Sequence, residues 1–140
     1  MTNKQLMAAF FVYFWKMEFD VNKIGCLAEY KFMVKCMELG YIVSKPTLDS
    51  SVYDVIVDNG DRLVKIQIKS RKSTMGYKNS KYPKPRVSIA NQSIYAITDF
   101  DYYAIYVYDM DLWVVIPNGA LKTFVLNKNN IEKYSTFAFR

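Results

Sequence analysis

The sequence predicts an α/β (α+β) fold, a central mixed β-sheet flanked by helices, on three observations. A helical apolar period fills the first third of the chain, an Asn-Gly hairpin signal joins two alternating runs after it, and further strand-length apolar runs follow. The order, helix and then mostly strands, is that of a two-layer mixed domain. At 140 residues, 51% of them hydrophobic, the chain suits a single domain over residues 1–140 with a substantial core, and disorder is excluded.

The elements follow in order. Leu6 to Trp15 is almost wholly apolar but too short to span a bilayer, so residues 1–16 read as an apolar extension or oligomer-contact segment. Asn22 is placed to cap a helix running to Met37 or Glu38, with Leu27, Tyr30, Val34 and Met37 as its apolar stripe and Gly40 just beyond its end. Tyr41 to Ser44 is a short strand that stops before Pro46. Ser51 to Val57 and Arg62 to Ser70 are strands joined at Asn59-Gly60. Ser70 to Arg86 is a basic loop, and Val87 to Ile97 holds a strand and a short helix. Tyr102 to Tyr108 and Leu112 to Ile116 form a second hairpin, and Lys122 to Leu126 a last strand.

Charge and residue usage narrow the chemistry. The net charge is +6, and from Arg62 to Thr98 there is no acidic residue but nine basic ones. The remainder holds 10 basic and 13 acidic residues, so the positive field is concentrated in one segment, as suits a polyanion. Cys26 and Cys36 sit about 15 Å apart along one helix, beyond disulfide reach, and read as buried thiols in a reducing, intracellular compartment. There is no histidine, which removes the commonest general base and transition-metal ligand. Catalysis must then run on carboxylates, amides, lysines and a hard cation such as Mg2+.

A two-residue turn at Asn59-Gly60 opposes Asp54 to Lys65 and sets Asp54, Lys65, Gln67 and Lys69 on one face, with Val55, Val64, Ile66 and Ile68 on the other. Asp54 and Gln67 are then diagonal neighbours at about 7–8 Å, a gap one shared cation bridges. Phosphodiester hydrolysis needs a cation to polarise the phosphate and a fixed positive charge near the nucleophile. Asp54, the Gln67 carbonyl and the backbone carbonyl of Ile68 supply oxygens; Lys69 stands where it can orient or deprotonate a water. Any one of these residues alone fits the solvent face of a half-buried sheet. Their combination is what points to a site.

Asp54 followed by Gln67-Ile68-Lys69 resembles the D…(D/E/Q)-x-K core of the PD-(D/E)xK nuclease superfamily, whose fold is restriction-endonuclease-like. Gly25-Cys26-Leu27-Ala28-Glu29 resembles the G-x-x-A-E segment of its Holliday-junction-resolvase-like branch. Asp101 to Tyr106 and Trp113 to Pro117 are similar to later strands of small members, so the likeness covers about residues 23 to 118. Gln67 stands where an acid is commoner, a variant similar to intron-encoded homing endonucleases, and Tyr53 replaces the proline.

The resemblance implies a DNA endonuclease using Mg2+, with Mn2+ as substitute. Its catalytic set is Glu29, Asp54, Gln67 and Lys69, and its metal ligands are Asp54, Gln67, Ile68 and Glu29. Lys65, Arg71, Lys72, Lys78, Lys81, Lys84 and Arg86 are the expected DNA contacts, and Gln92 a weaker accessory. A homodimer or higher homo-oligomer is expected, since one such site cuts one strand. Two alternatives remain: a DNA-binding protein that keeps the fold without the activity, and a scaffold anchored on membrane by its apolar N-terminus.

Overall fold

A computed structural model describes residues 2–18, 21–71, 86–88, 95–119, 123–125 and 131–139. Helix α1 (Asn3–Glu18) opens on a reciprocal cap, in which the Gln5 N–H donates to Thr2 Oγ1 and the Thr2 N–H to Gln5 Oε1. Its residues 3–10 are all exposed, Leu6, Met7 and Phe10 among them. Among the described residues no helix is long and apolar enough to cross a membrane.

Helix α2 (Val21–Glu38) begins one residue before Asn22, which therefore lies in the first turn instead of capping it. Its far end is a Schellman cap, with Gly40 at φ +80°, the Gly40 N–H donating to the Met37 carbonyl and the Tyr41 N–H to that of Cys36.

The expected apolar stripe of α2 faces the wrong way. Leu27, Tyr30, Val34 and Met37 are exposed, while Ala28, Phe32 and Cys36, at spacings of four, are fully buried against the sheet. Ala28 and Cys36 are small, which lets the helix lie close to the strands with Phe32 as its one large anchor. Cys26 is exposed, not buried; Cys36 is buried, which pushes its thiol up to about 12.

Five strands form the main sheet in the order β1-β2-β3-β5-β6: β1 (Ile42–Ser44), β2 (Val55–Asp58), β3 (Leu63–Arg71), β5 (Tyr102–Val107) and β6 (Leu112–Pro117). Neighbours are antiparallel except β3 and β5, which run parallel, so the sheet is mixed. β4 (Arg86–Ser88) and β7 (Thr123–Val125) make a separate antiparallel pair. A short 3-10 turn (Tyr108–Met110) links β5 to β6, and α3 (Ile131–Ser135) lies beside β6. The helix expected within Val87 to Ile97 lies mostly outside the described residues, and Tyr95 to Ile97 are not helical.

Both faces of the sheet are covered. On one, α2, Phe137 and Phe139 pack over Val55, Val57, Val64, Ile66, Ile68, Ala104 and Val115. On the other, Phe100, Tyr103, Ile105, Val107, Val114 and Ile116 pack beneath Tyr53, Tyr95 and Tyr134.

The β2–β3 hairpin corrects the expected register. The turn lies at Gly60-Asp61, not Asn59-Gly60: Asn59 donates its N–H to the Arg62 carbonyl, and Gly60 takes φ +91° in the first central position. The Asn59 side-chain oxygen accepts from the N–H groups of Asp61 and Arg62, and Asp58 Oδ1 from that of Gly60. These Asx bonds hold the turn one residue further along. Sliding the turn by one moves the pairing by two, so Val55 opposes Ile66 and Ile56 opposes Lys65. A two-residue slip preserves parity, and the assignment of the β2 and β3 side chains to faces survives.

Candidate active site

Asp54, one residue before β2, stands beside Gln67, whose Nε2 donates to its carboxylate. The Asp54 N–H donates to the Ile66 carbonyl at 2.9 Å, so Asp54 and its neighbour Val55 both stand against Ile66, as in a β-bulge. Beyond it the chain leaves β3, which runs on to Arg71 with no strand paired to that edge among the described residues. The Asp54 carboxylate turns into the gap. Its Oδ2 accepts from the Ile68 N–H at 2.6 Å and from Gln67 Nε2 at 2.8 Å. Both bonds end on one oxygen, and among the described residues Oδ1 accepts none. The Ile68 carbonyl leaves the strand on the same side as its N–H, toward this gap.

Burial raises the Asp54 pKa, opposed by the Ile68 N–H; the charge of Glu29 raises it further, and those of Lys69 and Lys45 lower it. Glu29, from α2, thus acts on the same carboxylate as the strand residues. Its own partner is Lys45 Nζ, at 2.8 Å from Oε2, and not Lys31 or Lys35 on its own helix. This hydrogen bond raises the Lys45 pKa.

Lys69 lies two residues past Gln67, on the face that carries Tyr103 and Ile105. Its Nζ donates to Tyr95 Oη at 3.4 Å and sits 5.4 Å from that ring's centroid, so the contact is at the hydroxyl end. Tyr95 is itself wedged edge-on against Phe100 (5.2 Å) and Tyr103 (6.4 Å).

The segment carrying Tyr95 is pinned to the sheet from both sides. Asp101 Oδ2 accepts the Lys65 N–H while its own N–H donates to the Lys65 carbonyl. Buried Asn118 donates through Nδ2 to the carbonyls of Ala96 and Phe100. Loop and strand are therefore locked in one register, and the Lys69 ammonium is aimed by packing instead of waving in solvent.

Asp54 Oδ1, the Ile68 carbonyl and Glu29 are hard oxygen donors, which suit Mg2+. Gln67 presents Nε2 to Asp54; turning its amide over brings Oε1 to the same place. Among the described residues no three Asp, Glu, Cys or His side chains form a metal-holding group. That follows from the composition of the set, two carboxylates with an amide and a main-chain oxygen. A divalent cation fits this donor set, with less anionic charge than a three-acid site would give it.

Of the expected DNA contacts, Lys65 is half-buried, its Nζ donating to the Thr98 carbonyl at 3.3 Å and lying 5.8 Å from the centre of the Tyr53 ring. Arg71 closes β3, half-buried. Arg86 opens β4. Lys72, Lys78, Lys81 and Lys84, with Gln92, lie outside the described residues.

Two neighbours of the site escaped the sequence reading: Lys45, which comes from the end of β1, and Tyr95, from a loop. Neither shares a motif with the residue it touches, so spacing carries no signal for them.

No curated protein sequence matches the chain. Among solved structures it is similar to the bacterial homing endonuclease I-Ssp6803I, at 23% identity and a TM-score of 0.58 over 78% of this chain and 79% of the other. It is also similar to Hjc, a Holliday junction resolvase from the archaeal hyperthermophile Archaeoglobus fulgidus, at 14% identity and a TM-score of 0.50 over 79% and 88%. These likenesses show a shared restriction-endonuclease-like fold. The PD-(D/E)XK endonuclease family model matches residues 19–134, and with most of its length in that match the chain belongs to the PD-(D/E)XK endonuclease family.

Proposed function

We propose that the protein is a Mg2+-dependent DNA endonuclease, with Mn2+ as a substitute, acting inside the cell on duplex or branched DNA. The observation that carries the reading is the Asp54 carboxylate just before β2, held by Gln67 Nε2 and the Ile68 N–H, with Lys69 next along β3. Asp54, the Gln67 carbonyl after the amide turns, the Ile68 carbonyl and Glu29 hold the cation. When bound, it supplies Lewis-acid polarisation of the phosphate and a more acidic water. The Lys69 ammonium, held by Tyr95, orients that water and offsets charge on the phosphate as it builds up. Lys65, Arg71, Lys72, Lys78, Lys81, Lys84 and Arg86 hold the DNA backbone.

Cutting both strands calls for two sites, and the exposed stripe of α2 suits a second copy of this chain. The 3-4-3 spacing of Leu27, Tyr30, Val34 and Met37 reads the same in both directions, so an antiparallel α2 of the partner sets Leu27 against Met37 and Tyr30 against Val34. Lys23 and Glu38, at opposite ends of the helix and exposed, are then brought together across the two-fold. A groove lined by Leu27, Tyr30, Val34, Tyr106 and Trp113 borders the stripe and receives the partner's side chains. Sedimentation tests this: wild type is expected to be dimeric and Val34→Glu monomeric, and a monomeric wild type at micromolar concentration rejects it.

The function is tested on supercoiled plasmid and a synthetic four-way junction, each with Mg2+ or EDTA. Cutting in Mg2+ alone supports the reading, and the substrate cut faster chooses between a homing or restriction-type enzyme and a resolvase. Binding to both without cutting either rejects the enzyme and leaves a DNA-binding protein with a nuclease fold.

A further inference from the structure

Among the described residues, the charges gathered at the site cancel. Glu29 and Asp54 contribute two negative charges, Lys45 and Lys69 two positive ones, and Gln67 none. Such a site draws a dication far more weakly than one with unopposed carboxylates. The two lysines are held differently. Lys69 is held by a packed tyrosine, whereas Lys45 bonds to a carboxylate, at 2.8 Å from Glu29 Oε2. Lys45 is 46% exposed and Glu29 30%, and ion pairs that face water contribute little and break readily. The lysine stem is long and flexible, so its ammonium can leave without moving the end of β1.

We propose that Lys45 is a displaceable counter-cation that competes with the divalent metal for Glu29 and so sets how readily the empty site loads. The inference rests on the metal site proposed above and assigns Lys45 a part in it. The ammonium neutralises Glu29 beside the half-buried Asp54 while no cation is bound. A divalent ion must take Glu29 from it, and that exchange lowers the ion's apparent affinity. Lys45 is a positioning residue here; it touches a metal ligand and need not touch the substrate.

The experiment is Mn2+ uptake by the DNA-free full-length protein, read by the electron paramagnetic resonance of unbound Mn2+, for wild type, Lys45→Gln, Lys45→Arg and Asp54→Asn. Thermal melts check that all four are folded. Lys45→Gln is expected to bind Mn2+ about threefold to tenfold more tightly than wild type, and Lys45→Arg as weakly as wild type. Equal or weaker binding by Lys45→Gln overturns the proposal, as does an arginine variant that behaves like the glutamine one. If Asp54→Asn takes up Mn2+ as wild type does, the metal site itself is misplaced. Its loss in that variant beside unchanged Lys45→Gln rejects only the role of Lys45, and no uptake by any of them rejects both.

Discussion

Burial favours the protonated form of Asp54, so its folded-state pKa lies above the ordinary carboxylate value. The sign of the consequence follows. The group's contribution to stability is fully present below the ordinary pKa and is lost as the pH rises through the raised one. At neutral pH the empty site is therefore a weak point in the fold. Asp54→Asn removes the charge and keeps both hydrogen bonds, because both end on one oxygen. In EDTA at neutral pH this variant is expected to melt no lower than wild type, with the gap closing as the pH falls. Mg2+ should raise the melting temperature of wild type alone. A variant that melts lower in EDTA at neutral pH would show that the charge supports the fold. Gln67→Glu runs the other way. It sets two carboxylates side by side, costing about 0.5–1 kcal/mol in EDTA, and raises Mg2+ affinity on the order of tenfold. Unchanged affinity by calorimetry would remove Gln67 from the ligand set.

Individual elements show what the sequence made legible. The face shared by Lys65, Gln67 and Lys69 was readable because strand parity tolerates a two-residue slip. The turn was misplaced because Asp58 and Asn59 both form Asx bonds, and these stabilise the alternative at Gly60-Asp61. Helix α2 was misread because it carries two apolar stripes, and the more hydrophobic one points outward. The core took the stripe with small residues, which no count of apolar side chains favours. The difference is measurable. Phe32→Ala is expected to destabilise the protein by about 3–5 kcal/mol, as emptying a fully buried aromatic position does. Val34→Ala, on the 49% exposed side, is expected to cost less than about 0.5 kcal/mol under conditions where the protein is monomeric. Similar losses in chemical denaturation would place both residues in the core.

Across the whole molecule, the fold class was legible because each main-sheet strand coincides with an apolar or alternating run of the right length. The long-range neighbours were not. Lys45 reaches Glu29 from 16 residues away and Tyr95 reaches Lys69 from 26, contacts that exist only once helix and sheet are assembled. The net charge of +6, with nine cations between Arg62 and Thr98, predicts that the proposed DNA binding falls steeply with salt whether or not the site works. Binding and cutting must therefore be separated, and one measurement does so. Single-turnover DNA cleavage and Mg2+ uptake are followed side by side in wild type, Asp54→Asn and Lys69→Ala, at a salt concentration where all three bind DNA. Lys69→Ala is expected to take up Mg2+ but cut at least about 100-fold more slowly, and Asp54→Asn to do neither. Mg2+-dependent cutting that survives either substitution would contradict the assignment of this strand face as the active site.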